Sequence, residues 1–298
     1  MKTARLILIA LVTLIVPACL HAQKPGSHIL GFMTDFDVKD DAIGICKAVM
    51  TSVDPAVKII DITHQSTPYD IAEGARFLAG SAPYFPADAV FVVVIDPTVG
   101  SSRKAIIAKS ARGQYFVLPD NGLITLLDQQ PGNKIVAARE ITEPAWMIGS
   151  KLSSTFHGRD IFSPAGAHLT RGENWINAGP ALDVAKLVRL DIPMPTLGTS
   201  GIRTTVLGLD GPFGNLILNL PSDLFAKLGY TIGDTVSATI DNKPYKLPFV
   251  KTFSDVPVGS PLFYIDSRGR LAASINQRSF ADQYHVTPGM KVLILPKP

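Results

Sequence analysis

Residues 89–96, AVFVVVID, decide the fold. Seven apolar residues, four of them valine, run without interruption to Asp96. Branching at Cβ stiffens χ1 and favours extended backbone over helix. A strand with one wet face alternates apolar and polar residues; this one does not, so both of its faces are buried. That is the condition of a central strand in a parallel sheet covered by helices on each side.

The flanking segments supply those layers. Residues 28–33 read as a buried strand ending in the polar tip Thr34–Asp35. Ile43, Cys46, Met50 and Val53 then form one apolar face of a helix. AVKIIDIT (56–63) is a second strand. YDIAEGARFLAGSAPYF (69–85) is a second helix with Ile71, Ala75, Leu78 and Ala82 in register, and Asp70 with Glu73 reads as an acidic capping box. A further strand covers 115–118. Strand–helix–strand–helix–strand with short connections predicts an α/β N-terminal domain, residues 24–192, with a mainly parallel central sheet. Proline and glycine then interrupt the chain over 189–201, RLDIPMPTLGTSG. From 202 to 298 the pattern changes to short strands and turns, with one short helix near 221–228, which predicts a small C-terminal β-barrel domain.

The first 22 residues differ from both. Lys2 and Arg5 precede an apolar run over 6–16 that is short for a bilayer span, and Ala22 offers a small residue for cleavage. A secretory signal peptide over 1–22 is expected, and with it a periplasmic or secreted chain without a membrane span. The rival is a lipid anchor at Cys19, against which Pro17 is an awkward neighbour. Cleavage would lower the 28 basic residues by Lys2 and Arg5 to 26, against 25 acidic ones, so nothing favours nucleic acid as a partner. Cys46 would be the sole cysteine left, which excludes an intrachain disulfide and the zinc templates. No HExxH, Walker or GxGxxG pattern occurs, and no metal site is expected.

Ligands of open α/β sheets gather beyond the carboxyl ends of the strands. TDF (34–36), DPTVGSSR (96–103) and PDNGLIT (119–125) fall at that rim. Asp35 is either a helix cap, a role that Asp40 or Asp41 suits better, or an acceptor for ribose hydroxyls. Asp96 and Arg103, seven residues apart around Pro97 and Gly100, are either a loop ion pair or a converged reactive pair. STFHGRDIFSP (154–164) is either a turn that opens the helix DIFSPAGAHL or an active-site loop. In the second case Gly158 admits a close approach or a positive φ. LDGPFGNLILN (209–219) gathers Asp210, Phe213 and Asn215 on a glycine-rich turn. His64 and His168 read as structural, in capping and helix packing.

Taken together these motifs resemble the S-adenosyl-L-methionine (SAM) hydroxide adenosyltransferases, relatives of the fluorinase and chlorinase enzymes. TDF, DDAIGICKAVM, DITHQSTPYDIAEGARF, IDPTVGSSRK, PDNGLIT, TFHGRDIFSPAGAHL, GPFGNLILN and DSRGRLAASINQ occur in the family's order from about residue 29 to the end. The resemblance implies hydrolysis of SAM by water at ribose C5′, giving adenosine and L-methionine, with SAM as substrate and no cofactor. It implies a homotrimer, with SAM held between the N-terminal domain of one subunit and the C-terminal domain of its neighbour. It implies that Asp96, Arg103 and His157 activate water, and that Asp35 holds the ribose diol. Asp210, Ser267 and Arg268 would contact the methionine moiety, Asn215 and Asn276 the adenine, and Phe213 and Phe253 the apolar walls. Tyr69, Phe156 and Gly158 would complete the substrate site. Halogenating members carry tyrosine in place of Asp96, so the hydroxide chemistry is expected. Thr98 stands where hydroxide members usually show glycine, and INQRSF (275–280) departs from their small-residue tail. SAM is made in the cytoplasm, so an exported, non-catalytic SAM- or adenosine-binding protein of the same fold is the alternative. A nucleoside hydrolase would want a carboxylate metal cluster, which is not evident.

Overall fold

The computed structural model describes residues 27–298 except Pro131. The expected signal segment over 1–22, with Cys19, lies outside the described residues. The N-terminal region runs β1 (Ile29–Thr34), α1 (Ala42–Val53), β2 (Lys58–Thr63), α2 (Ile71–Ser81), β3 (Val90–Val94), β4 (Ala105–Ser110), β5 (Tyr115–Pro119), β6 (Ile135–Glu140), α3 (Ser163–Thr170) and β7 (Ala181–Leu182). These strands form one sheet in the order β2-β1-β3-β5-β4-β6-β7.

The segment 89–96 behaves as its composition demands. Every residue of β3 is buried, and β3 pairs in parallel with β1 on one side and β5 on the other. Its side chains alternate between two cores. Phe91, Val93 and Ile95 pack with Ala75, Leu78 and Phe116 under α2, while Val90, Val92 and Val94 pack with Cys46, Met50 and Phe162 under α1 and α3. Burial pushes the Cys46 thiol up to about 11.

The sheet is mixed, which corrects the expectation of a mainly parallel one. Pairs β2/β1, β1/β3 and β3/β5 are parallel, whereas β5/β4, β4/β6 and β6/β7 are antiparallel. The reason is connection length. Only residues 111–114 separate β4 from β5, and a parallel neighbour needs a crossover of about a dozen residues or more. The capping box is also only half formed. Asp70 accepts from Glu73 N–H at 2.9 Å, but Glu73 turns away to accept from Thr67 N–H at 2.6 Å.

Past the segment 189–195, the chain continues with β8 (Thr196–Gly198), β9 (Gly201–Asp210), β10 (Asn215–Pro221), α4 (Ser222–Ala226), β11 (Thr235–Ile240), β12 (Lys243–Pro248), β13 (Pro261–Ile265), β14 (Arg270–Ile275), α5 (Phe280–Tyr284) and β15 (Lys291–Ile294). The sheet order is β12-β11-β15-β9-β10-β14-β13, all antiparallel, with β8 added beside β9. A bridge between Phe249 and Phe263 brings the two ends almost together, so the sheet is a nearly closed barrel. Leu216, Leu218, Phe225, Phe263, Phe280 and Val292 fill it. Among the described residues no helix is long and apolar enough to cross a membrane.

Candidate active site

Two loops converge beside the carboxyl end of β3. Asp96, the second residue after β3, accepts from Arg103 Nε at 3.0 and 2.9 Å through its two oxygens, and Arg103 Nη2 donates to Asp96 as well. The same Nη2 lies 2.7 Å from His157 Nδ1. Asp96 and Arg103 are both buried, their side chains 4% and 8% exposed, so the pair is more than a loop ion pair on the surface. Arg103 also lies over the Phe162 ring at 5.2 Å.

The local backbone explains this convergence. Gly100 takes a φ of +80°, and a Cβ there would lie 2.5 Å from the carbonyl oxygen of Ser154. The Asp96–Arg103 loop therefore seats directly on the loop that carries His157. Thr98 has no positive φ, so a side chain is at ease there, and its hydroxyl is 3.4 Å from Asp96 Oδ1. Behind β3, Asn121 Nδ2 donates to the carbonyl of Ile95 at 2.8 Å, fixing the strand just before Asp96.

Within 154–164 the ionisable groups divide their labour. Asp160 is fully buried and accepts from Ser153 N–H at 2.6 Å and from the Arg159 guanidinium. Burial alone would raise its pKa, but those bonds outweigh it and hold the carboxyl below the usual range. Arg159 and Asp160 thus brace the loop, and His157 faces the cleft. The predicted helix opens with a π turn over Gly158–Phe162 before α3. Gly158 has an ordinary φ, so close approach is the reading that survives: a Cβ would lie 3.0 Å from the Phe36 ring.

A guanidinium only donates, so His157 Nδ1 accepts, and the neutral ring carries its proton on Nε2. Burial first, and then the Arg103 charge, push the His157 pKa below the ordinary histidine value.

Asp96 and His157 line a cleft of about 650 Å³ together with Asp35, Tyr69, Phe156 and Gly158, and Arg103 stands behind them, bonded to both. Asp35 is free of helix capping: Asp40 accepts from Ala42 N–H at 3.0 Å, while Asp35 accepts from Tyr69 N–H at 2.9 Å. Tyr69 has a φ of +69° and is 73% exposed, which projects its ring at the cleft mouth.

The remaining predicted residues lie elsewhere in the same chain. Asp210, Phe213, Asn215, Phe253 and Asn276 line a second cleft, of about 580 Å³, in the barrel domain. Asn215 is oriented by Ser274, which donates to its Oδ1, and Asn276 Nδ2 is committed to the Val256 carbonyl at 2.8 Å. Phe213 is 65% and Phe253 40% exposed. The two clefts share no lining residue. Ser267 and Arg268 sit on the exposed turn between β13 and β14, and the Arg268 guanidinium lies over Gly80 of α2, lining a third cavity at the junction of the two domains. A single chain therefore holds the predicted site as separate parts.

Of the two histidines read as structural, His168 packs with Trp146 and bonds Glu173 at 2.9 Å. His64 neither caps nor packs a helix; its Nδ1 meets Thr34 Oγ1 at 2.9 Å across the ends of β1 and β2. The sequence reading missed Phe36, whose ring floors the cleft beneath Gly158, although an aromatic directly after Asp35 was the available signal. It also missed Asn121, which carried no signal beyond its place at a strand end.

With this geometry, the family match is specific. Residues 30–179 match the SAM hydroxide adenosyltransferase N-terminal domain, and residues 204–293 match the C-terminal domain. The chain belongs to the SAM hydroxide adenosyltransferase family. An (R)-S-adenosyl-L-methionine hydrolase of Salinispora arenicola is 38% identical over 261 residues, covering 87% of this chain and 95% of the relative. A fluorinase of an Actinoplanes species is 30% identical over 294 residues, covering 90% and 98%. The crystal structure of an uncharacterized conserved protein from Thermotoga maritima superposes with a TM-score of 0.83 at 35% identity, covering 89% of this chain and 99% of that one.

Proposed function

We propose that this chain hydrolyses SAM to adenosine and L-methionine. The observation that carries this reading is the buried Asp96–Arg103–His157 cluster at the wall of a cleft, in a chain 38% identical to a SAM hydrolase. The oxygen of one water bonds to ribose C5′. The C5′–S bond breaks with its electron pair passing to sulfur, so methionine departs as a neutral thioether and needs no acid. The water gives up one proton.

Bulk water has a pKa near 15.7, so position must supply what nucleophilicity lacks. His157 Nε2–H and the Arg103 guanidinium hold the water oxygen as donors, and fixing it in line with C–S removes much of the entropic barrier. His157 Nδ1 is occupied by Arg103. Asp96, the carboxylate bonded to Arg103, therefore accepts the released proton. Asp35 takes the ribose diol, and Tyr69, Phe156 and Gly158 enclose the ribose. Asp35, Asp37, Asp40, Asp41 and Asp96 put five carboxylates around this cleft, which favours a cationic sulfonium over neutral ligands.

The second cleft takes the other half of the molecule. Asn215 and Asn276 face the adenine, Phe213 and Phe253 its walls, and Asp210 the methionine end, which Ser267 and Arg268 reach from the turn between β13 and β14 outside this cleft. The chain acts as a homotrimer in which the first cleft of one subunit closes against the second cleft of the next. The exposed rings of Tyr69, Phe213 and Phe253 at the two mouths support this pairing. Catalysis uses no cofactor, and the chain works outside the cytoplasm after its signal peptide is removed. The test is incubation of the chain with SAM in ¹⁸O-water, with His157→Ala as control. Adenosine carrying one ¹⁸O at C5′, lost in the variant, is expected. Binding of SAM without turnover would leave an exported binder instead.

A further inference from the structure

Helix α2 runs from one half of this divided site to the other, and one arginine on it does the joining. Tyr69 and the Asp70 cap stand at its N-terminal end, beside the first cleft. Two turns later Arg76, only 5% exposed, reaches out of the N-terminal domain, and its Nη2 donates to the carbonyl of Leu209 at 2.9 Å. Leu209 directly precedes Asp210, the acid of the second cleft. The same Nη2 lies 3.6 Å from Glu73 Oε1, and Glu73 Oε2 accepts from Thr67 N–H at 2.6 Å. Thr67 begins the loop that carries Tyr69. One polar chain, Thr67–Glu73–Arg76–Leu209, thus ties the Tyr69 loop to the Asp210 strand.

The barrel is shaped to receive this side chain. A Cβ at Gly208 would lie 2.5 Å from Arg76 Nε and 3.0 Å from its Cδ. The arginine therefore lies flat on bare backbone, and its Nε has no hydrogen-bond partner among the described residues. Burying a guanidinium between domains is costly, and a structural tie would be cheaper with an apolar contact. Its charge interacts with those of Glu73, Arg268 and Asp210, and it grips the carbonyl one residue before Asp210.

We infer that Arg76 is a positioning residue for recognition of the amino-acid end of the substrate: by holding the Leu209 carbonyl it sets Asp210 against the methionine ammonium. This rests on the reading of Asp210 as a methionine contact. Lysine is a poor replacement, because a tetrahedral, strongly hydrated ammonium does not lie flat on Gly208 as the planar guanidinium does while its Nη2 meets both Leu209 and Glu73.

The test compares two ligands that share adenosine but not methionine. In the full chain, Arg76→Lys and, independently, Gly208→Ala raise KM for SAM about tenfold or more, with a smaller change in kcat. Inhibition by adenosine stays within about twofold of wild type in both. In an Asp210→Asn background, where SAM affinity is read by direct binding rather than by turnover, Arg76→Lys adds little further loss, because the two act through one contact. An active wild type whose variants keep KM, or lose SAM and adenosine equally, overturns the inference and leaves the functional reading standing. A wild type inert to SAM overturns both.

Discussion

At the scale of single residues, the informative atom is Nδ1 of His157. Because a guanidinium occupies it at 2.7 Å, the ring offers a donor to the cleft rather than a base. A glutamine can imitate this arrangement, accepting from Arg103 through its carbonyl and donating through its amide. His157→Gln should therefore keep at least about tenfold more kcat than His157→Ala, whose loss should fall in the range of about 10²–10⁴. Equal loss in the two would make His157 the base. The pH profile follows from the same contact. The folded-state pKa of His157 lies below the usual value of about 6.5, so the ring is neutral at pH 7. Protonation would place a second N–H against Arg103 and expel it. Activity should thus hold through pH 6.5 and fall only as pH drops through the lowered pKa, and His157→Gln should lack this acid limb. The members of the cluster could be singled out in the sequence only through the family resemblance, because their types and spacing alone also fit a loop ion pair and a helix-opening turn. Their division of labour could not, since it depends on which nitrogen faces the arginine.

At the scale of elements, the site is two loops pressed together, and Gly100 is where they touch. Its φ of +80° and the 2.5 Å approach to Ser154 leave no room for a side chain. Gly100→Ala should destabilise the fold by about 2 kcal/mol or more, seen as a Tm several degrees lower, because it adds a backbone clash to left-handed strain. It should also cut kcat more than KM, since the separation of Arg103 from His157 is what changes; an unaltered kcat would mean the loops are not coupled. β3, the strand before the first of these loops, was readable from hydrophobic pattern alone, whereas β6, the strand before the second, was not. β3 announces itself by having no polar face. The antiparallel half of the sheet was harder, because β4 and β5 resemble buried parallel strands in composition. Only the four residues between them betray a hairpin. The acidic capping box failed for a similar reason: Glu73 has the right spacing to Asp70, but a tertiary partner, Thr67 N–H, competes for it.

At the scale of the whole molecule, pattern indicated an α/β region followed by a β-rich one, and both are present, yet one chain leaves the two clefts apart. No sequence signal says which residues meet across a subunit boundary, because periodicity reports burial and not its partner. If each site is built from the first cleft of one subunit and the second cleft of the next, two inactive variants can repair one another. Asp96→Asn spoils only the first cleft, and Asp210→Asn only the second. After unfolding and refolding an equimolar mixture, a given site draws its first cleft from either variant at random, and its second likewise. One pairing in four is intact, so the mixture should recover about one quarter of the wild-type rate in trimers of cyclic symmetry. Each variant refolded alone should stay near background. If both clefts served one site within a single chain, every site would carry one lesion and the mixture would stay inactive. Light scattering on the same samples should give the mass of three chains, and a monomeric mass with full wild-type activity would sink the shared site directly.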